Sequence, residues 1–381
     1  MRAVVVSLTK RAILPEKRKD TTVKRSLFLA ATLFISATAF QLAAADPPEI
    51  PYTADPNFLK LPPDIHFGET SGVAVNSQKH IFVYNRGNST GPAYAATASQ
   101  ILEFGPDGKY IREIGKNLYA WSYAHDVRVD PQDNIWAIDK GSDMVVKFTP
   151  QGRVSMIFGR KKEASDEAEP WTHVNPPRPP VDGQFRQPTD VAWDQQGNTF
   201  VSDGYVNSRV AVYDKNGDWK MSFGTPGSGP GQLNTPHGIA SDNQGNIYVA
   251  DRGNRRIQVF DHDGKVLREI KIAVTAPPGL KPWMGAVVPE DAPANTMKAG
   301  APWTVCITPG PTQYLYTSDA YPGRIYKLTL DGKLLGMLGR VGRQPNQFGW
   351  IHQIACPSEN ELYVAEILNW RVNKLTLSPK K

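Results

Sequence analysis

Short runs in which apolar and polar residues alternate recur along this chain, each bounded by Asp, Asn or Gly. Arg256-Ile-Gln-Val-Phe has the period of two of a strand with one buried face. More continuously apolar runs, such as Asn134-Ile-Trp-Ala-Ile and Asn246-Ile-Tyr-Val-Ala, fit strands buried on both faces. Between runs stand hairpin signals: Pro106-Asp107-Gly108-Lys109, Lys215-Asn216-Gly217-Asp218, His262-Asp263-Gly264-Lys265 and Leu330-Asp331-Gly332-Lys333. The whole pattern repeats six times, over Glu69–Gly115, Trp121–Arg160, Phe185–Gly224, Gln232–Ile270, Ala301–Gly339 and Gln347–Leu377. Units of about 40 residues with four strands are propeller blades. The chain is therefore expected to be all-β, a six-bladed β-propeller over residues 69–377 with a tail at 378–381. The sixth unit has only three strands of its own. Residues 46–68 are expected to supply the ring-closing fourth, assigned to Asn57–Pro62.

Three long interruptions, at Arg86–Ser99, Lys161–Gln184 and Lys271–Gly300, fall between blades or between second and third strands. In a meander whose first strand is innermost, those positions share one face, which marks it as the functional one. Aligning the first strands gives a ring of six residues at that face: Ser71, His125, Thr189, His237, Trp303 and His352. Histidines in every second blade stand about 120° apart around the axis of a six-fold ring. Three neutral imidazoles with an open fourth position are a common catalytic zinc set. The remaining histidines, His66, His80, His173 and His262, fall in turns or linkers and read as surface residues.

Second strands end in an acidic column at Asp139, Asp203, Asp251, Asp319 and Glu366. In blades three to six an arginine follows five or six residues later: Arg209, Arg256, Arg324 and Arg371. A feature shared by four blades reads as scaffold, an acid–arginine pair closing each loop. Arg86, Tyr205 and Arg252 do not follow that repetition and lie beside the histidine face, so they are the candidates for chemistry.

Charge and cysteine content narrow the class. The formal charge is +6, from 43 Lys and Arg against 37 Asp and Glu. Residues 1–45 hold eight of those bases and two of the acids, leaving thirty-five of each. No nucleic-acid partner is implied, nor an anionic-membrane one. Lys24-Arg25, the apolar run Ser26–Leu42 and Ala43-Ala44-Ala45 have the order of a secretory signal peptide, so export to the periplasm or medium is expected. No membrane association is expected after cleavage, and a monomer is. Cys306 and Cys356 lie one residue out of register on neighbouring inner strands, which predicts two free thiols facing opposite ways.

The blades resemble NHL repeats, and the ring is similar to peptidyl-α-hydroxyglycine α-amidating lyase. The likeness runs over about residues 57–377. It rests on Ser71-Gly-Val-Ala-Val with Asn85-Arg86-Gly87, on Gly115-Lys-Asn-Leu, on Gln187-Pro-Thr-Asp-Val-Ala and on Val201-Ser-Asp-Gly-Tyr205-Val-Asn-Ser-Arg209. Pro236-His237 and Val249-Ala-Asp-Arg252-Gly-Asn-Arg-Arg-Ile-Gln complete it. The resemblance implies zinc on His125, His237 and His352, a catalytic tyrosine at Tyr205 and active-site arginines at Arg86 and Arg252. It also implies calcium, held by backbone oxygens of Val73 and Val127 and an aspartate after the third histidine. Here Gln353 holds that last position, and an aspartate, Asp126, follows the first histidine instead. Trp350 stands where the family has an active-site methionine. The disulfide positions of the animal enzymes fall on Arg186, Val206, Tyr248 and Val259, none of them a cysteine. The expected function is cleavage of a carbinolamide C–N bond in a small-molecule or peptide substrate. Two other readings stay open: a non-enzymatic ligand- or protein-binding scaffold with a structural metal, and a propeller hydrolase such as a lactonase.

Overall fold

A computed structural model describes residues 47–87, 99–162, 178–289 and 291–378. The leader, most of the Arg86–Ser99 and Lys161–Gln184 interruptions, His173 and nearly all of the tail lie outside the described residues. What is described forms six four-stranded antiparallel sheets with one small parallel ribbon, Thr225–Pro226 with Gln232–Leu233. The inner strands are Thr70–Val75, Ala124–Val129, Asp190–Trp193, Pro236–Ser241, Val305–Ile307 and Ile351–Ser358. Each packs on the next, and the sixth packs on the first, so the ring is closed.

Burial follows the distance from the axis. Second strands such as Ile135–Asp139 and Ile247–Asp251 are buried throughout, whereas the outer strand Trp219–Phe223 alternates in and out of solvent. Apolar clusters fill all six junctions between neighbouring blades. At the junction of blades two and three, for example, Trp136, Ile138 and Phe158 meet Phe185, Val201 and Tyr213. A propeller core is thus distributed over sheet-to-sheet contacts.

The closing strand differs from expectation in position. Tyr52–Asp55 pairs antiparallel with Arg371–Leu377 and completes blade six, Tyr52 opposite Leu377 and Asp55 opposite Lys374. Tyr52 stacks on Phe348, and Tyr52 and Ala54 turn toward the core. Asn57–Pro62 instead crosses to the outer hairpin of blade one, where the Lys60 N–H donates to Gly108 O (2.8 Å). Gly108 is required there: its φ is +78°, and a Cβ would stand 2.2 Å from Phe58 O. The alternation of 52–55 is the better strand pattern, and Pro56 ends it.

The cysteines also differ from expectation, because Cys306 and Cys356 form a disulfide between the inner strands of blades five and six. The inner strand of blade six shifts register between Ala355 and Ser358. Alternation nevertheless holds through Cys356: Ile354 and Cys356 face the junction with blade five and Ala355 the junction with blade one, while Cys306 faces blade six. The one-residue offset therefore points the two sulfurs at each other across neighbouring sheets. The bridge spans a sequence separation of 50 residues. Replacing both cysteines by alanine is expected to cost ~2–4 kcal/mol, mostly by freeing the unfolded chain, read as a lower urea midpoint.

Candidate functional site

The three histidines stand at the start of inner strands in blades two, four and six. In each blade the pairing register shifts at the histidine, between Ala124 and Asp126, Pro236 and Ile239, and Ile351 and Gln353. A bulge re-aims the side chain from the sheet face into the channel. The rings form a nearly equilateral triangle, with centroid separations of 4.7, 4.7 and 4.8 Å.

Their orientation is fixed by the blades that lack a histidine. The Nδ1 of His125 donates to Thr189 O (2.6 Å), that of His237 to Trp303 O (2.6 Å) and that of His352 to Ser71 O (2.7 Å). A carbonyl only accepts, so each Nδ1 carries the proton and each Nε2 presents a lone pair. Burial pushes all three well below the usual histidine range; the neighbouring cations Arg86, Lys140 and Arg252 add to it. The ligand atoms lie within 4.8 Å of one another, and among the described residues they are the one such group of three. Buried neutral imidazoles with outer nitrogens fixed by carbonyls are the donor set a zinc ion takes.

Tyr205 sits over this triangle, its hydroxyl 3.4 Å from His125 Nε2 and 3.5 Å from His237 Nε2. Burial opposes ionisation of the phenol. Arg252, Lys140 and Arg86 together outweigh it and hold the group below its ordinary value. Arg86 donates from Nε to Ala124 O (3.1 Å), pairs with Glu69 and stacks on Tyr123 at 3.8 Å. Arg252 is 4% exposed and lies 3.9 Å over the Trp303 ring, and its Nε and Nη1 have no protein partner. An unsatisfied buried guanidinium is costly and calls for an anion. Beside it, the indoles of Trp303 and Trp350 meet edge-on at 5.0 Å. Trp303 Nε1 donates to Thr296 O of the long 271–300 interruption, which therefore reaches this face.

All six residues predicted for zinc and catalysis converge here. One residue was missed: the Lys140 ammonium lies 3.7 Å from the centre of the Tyr205 ring. Its signal was in the register, because Arg86, Lys140 and Arg252 each directly follow the residue that ends a second strand. The acid–arginine pairs form in three of four blades, Arg209–Asp203, Arg256–Asp251 and Arg371–Glu366. In blade five the Asp319 carboxylate instead accepts from the Gly323 and Arg324 N–H groups and the Tyr326 hydroxyl, while Arg324 Nη1 reaches Thr275 O.

The calcium position does not fit. Gln353 Oε1 accepts from the Val73 N–H (2.6 Å), the Asp126 carboxylate accepts from the Val127 N–H (2.7 Å), and an arginine crosses the axis beside them. Farther along, a cavity of about 420 Å³ opens at the other end of the channel, bordered by the disulfide. None of its lining residues is a histidine, so its size does not make it the reactive site.

The NHL repeat model matches residues 233–260, which hold His237 and Arg252. The rat peptidylglycine alpha-amidating monooxygenase is 26% identical over 319 residues, covering 70% of this chain and 31% of that protein. The fly (Drosophila melanogaster) peptidyl-alpha-hydroxyglycine alpha-amidating lyase 1 is 25% identical, covering 72% of this chain and 48% of its own. The chain thus spans about a third and about half of these two relatives' lengths. Among solved structures, virginiamycin B lyase from Staphylococcus aureus superposes with a TM-score of 0.53 at 14% identity, covering 86% of this chain and 100% of that one. That likeness concerns the fold alone. The chain is a six-bladed propeller with an NHL repeat, and relatives at 25–29% identity carry amidating-lyase or amidating-monooxygenase names.

Proposed function

We propose that the protein is an exported zinc-dependent lyase that cleaves the C–N bond of a carbinolamide, N–CH(OH)–COO⁻, to an amide and glyoxylate. The observation that carries this reading is the set of three Nε2 lone pairs beneath the Tyr205 hydroxyl, with Arg252 alongside and its Nε and Nη1 without a protein partner. His125, His237 and His352 would hold the metal, which when bound supplies Lewis acidity to a substrate oxygen. Tyr205, ionised with the help of the surrounding cations, takes the carbinol proton. The electron pair of that O–H bond becomes the aldehyde C=O, and the C–N pair leaves on nitrogen, which gains a proton as the amide. Arg252 pairs with the substrate carboxylate in a charge-assisted contact. Arg86, fixed by Glu69 and Ala124 O, keeps positive charge near the phenolate.

The decisive experiment measures metal content of the purified mature chain and glyoxylate release from an α-hydroxyglycine peptide. A zinc-bearing protein that releases none favours the binding-scaffold reading. Export rests on the order of residues Lys24–Ala45 and suits the disulfide, which persists in oxidising compartments. Mass spectrometry should find the mature N-terminus at Asp46; an intact Met1 on a cytoplasmic product contradicts it. A periplasmic or secreted monomer follows from the same reading.

A further inference from the structure

One layer below the histidines, the channel is crossed by a guanidinium. Arg128 leaves the inner strand of blade two and reaches three other blades. Its Nε donates to Asp190 Oδ1 (2.8 Å), and its Nη2 to Asp190 Oδ2 (2.5 Å), Val305 O (3.1 Å) and Ile239 O (3.3 Å). Asp190 in turn accepts the N–H groups of Val191 (2.8 Å) and Ile239 (2.9 Å). Gln353 and Val73 join blades six and one at the same level. Donors and acceptors from all six inner strands therefore meet in one layer around one fixed cation.

This layer touches the strands that aim the histidines. Thr189, whose carbonyl holds His125, directly precedes Asp190. Trp303, whose carbonyl holds His237, lies two residues before Val305. We propose that Arg128 is the channel's own axial cation, making calcium unnecessary in this ring and positioning the carbonyls that orient His125 and His237. Both Asp190 oxygens and two carbonyls are already spent on the guanidinium. A hard cation needs several oxygens of its own, and a second positive charge beside a buried guanidinium is repelled. A planar fork with five donors matches a carboxylate and two carbonyls, which an ammonium cannot reproduce.

The test has two arms. In the first, wild-type mature protein is assayed for calcium and melted with EGTA or with added Ca²⁺. No bound calcium and an unchanged Tm are expected; about one calcium per chain with a Tm lowered by EGTA would overturn the replacement. The second arm rests on the histidine trio holding a metal, and titrates Co²⁺ into apo wild type, Arg128→Lys and Asp190→Asn. Loss of an orienting partner costs about 10–100-fold in metal affinity, so the folded variants should bind Co²⁺ at least ~10-fold more weakly with an altered visible spectrum. Unchanged affinity and spectrum, or failure of both variants to fold, would reduce Arg128 to a purely structural role and overturn the positioning. A wild type that binds no Co²⁺ sinks the metal-centre reading instead, and leaves the calcium arm to decide the replacement alone. Absence of lyase activity bears on neither arm.

Discussion

Tyr205→Phe is expected to lower kcat by about 10²–10⁴-fold, the usual worth of a positioned general base, with zinc content and Tm nearly unchanged. The substitution removes one oxygen and its proton from a partly exposed loop residue. It leaves the ring stacked against Lys140 and edge-on to His125 and His237. The pH dependence has a definite sign. Phenolate forms as pH rises through the tyrosine pKa, so the rate should climb with pH and level off below the ordinary tyrosine value near ~10. Arg252→Ala removes the strongest of the cations that lower that value, so the limb should move to higher pH. The same variant should raise KM, because the carboxylate loses its partner. Arg86→Ala should lose rate by the same route as Tyr205→Phe, since it removes a cation near the phenolate. Full activity in Tyr205→Phe would remove the tyrosine from the mechanism. An absence of turnover in wild type would leave a binding propeller.

Three cations from three blades surround one phenol: Arg86, which pairs with Glu69, Lys140 and Arg252. A neutral ligand would leave Arg252 Nε and Nη1 unpaired in a buried site. A substrate with a carboxylate next to the reacting carbon answers them, and the indole pair of Trp303 and Trp350 walls the site beside Arg252.

What could be read from the sequence was what repeats. Blade number, hairpin turns and the alternate-blade histidines all follow from one register carried through six units, and six units close a ring. What could not be read was what joins one unit to another. Alternation did turn Cys306 and Cys356 to opposite faces of their sheets, but opposite faces of adjacent blades look at one another, so the offset read as two free thiols is the one that joins them. The closing strand pairs across more than 300 residues, and no local signal separates Tyr52–Asp55 from Asn57–Pro62 beyond four alternating positions and a proline. Lys140 was visible at the same register as Arg86 and Arg252. A lysine after an aspartate in a loop is ordinary on its own; its meaning comes from Tyr205, which arrives from the neighbouring blade.

His125→Ala, His237→Ala and His352→Ala should each empty the metal site, from about one zinc per chain to near none, without opening the ring. The rings touch one another and Tyr205, but each carbonyl that accepts from an Nδ1 stays in its own strand when the imidazole is removed. In the zinc-loaded protein, X-ray absorption should report three imidazole nitrogens at about 2.0–2.1 Å. Acid should act in the same direction as the mutations. All three histidines have folded pKa values pushed below the free value, chiefly by burial. The unfolded chain therefore binds protons that the folded ring refuses, and stability of the metal-free protein is full above about pH 6.5 and falls as pH drops below it. Protons compete with zinc for the same Nε2 atoms, so metal should be released over that acid range as well. Replacing the three histidines together should flatten the acid limb of the Tm profile and abolish zinc uptake. A triple variant that keeps its zinc would place the metal elsewhere in the ring.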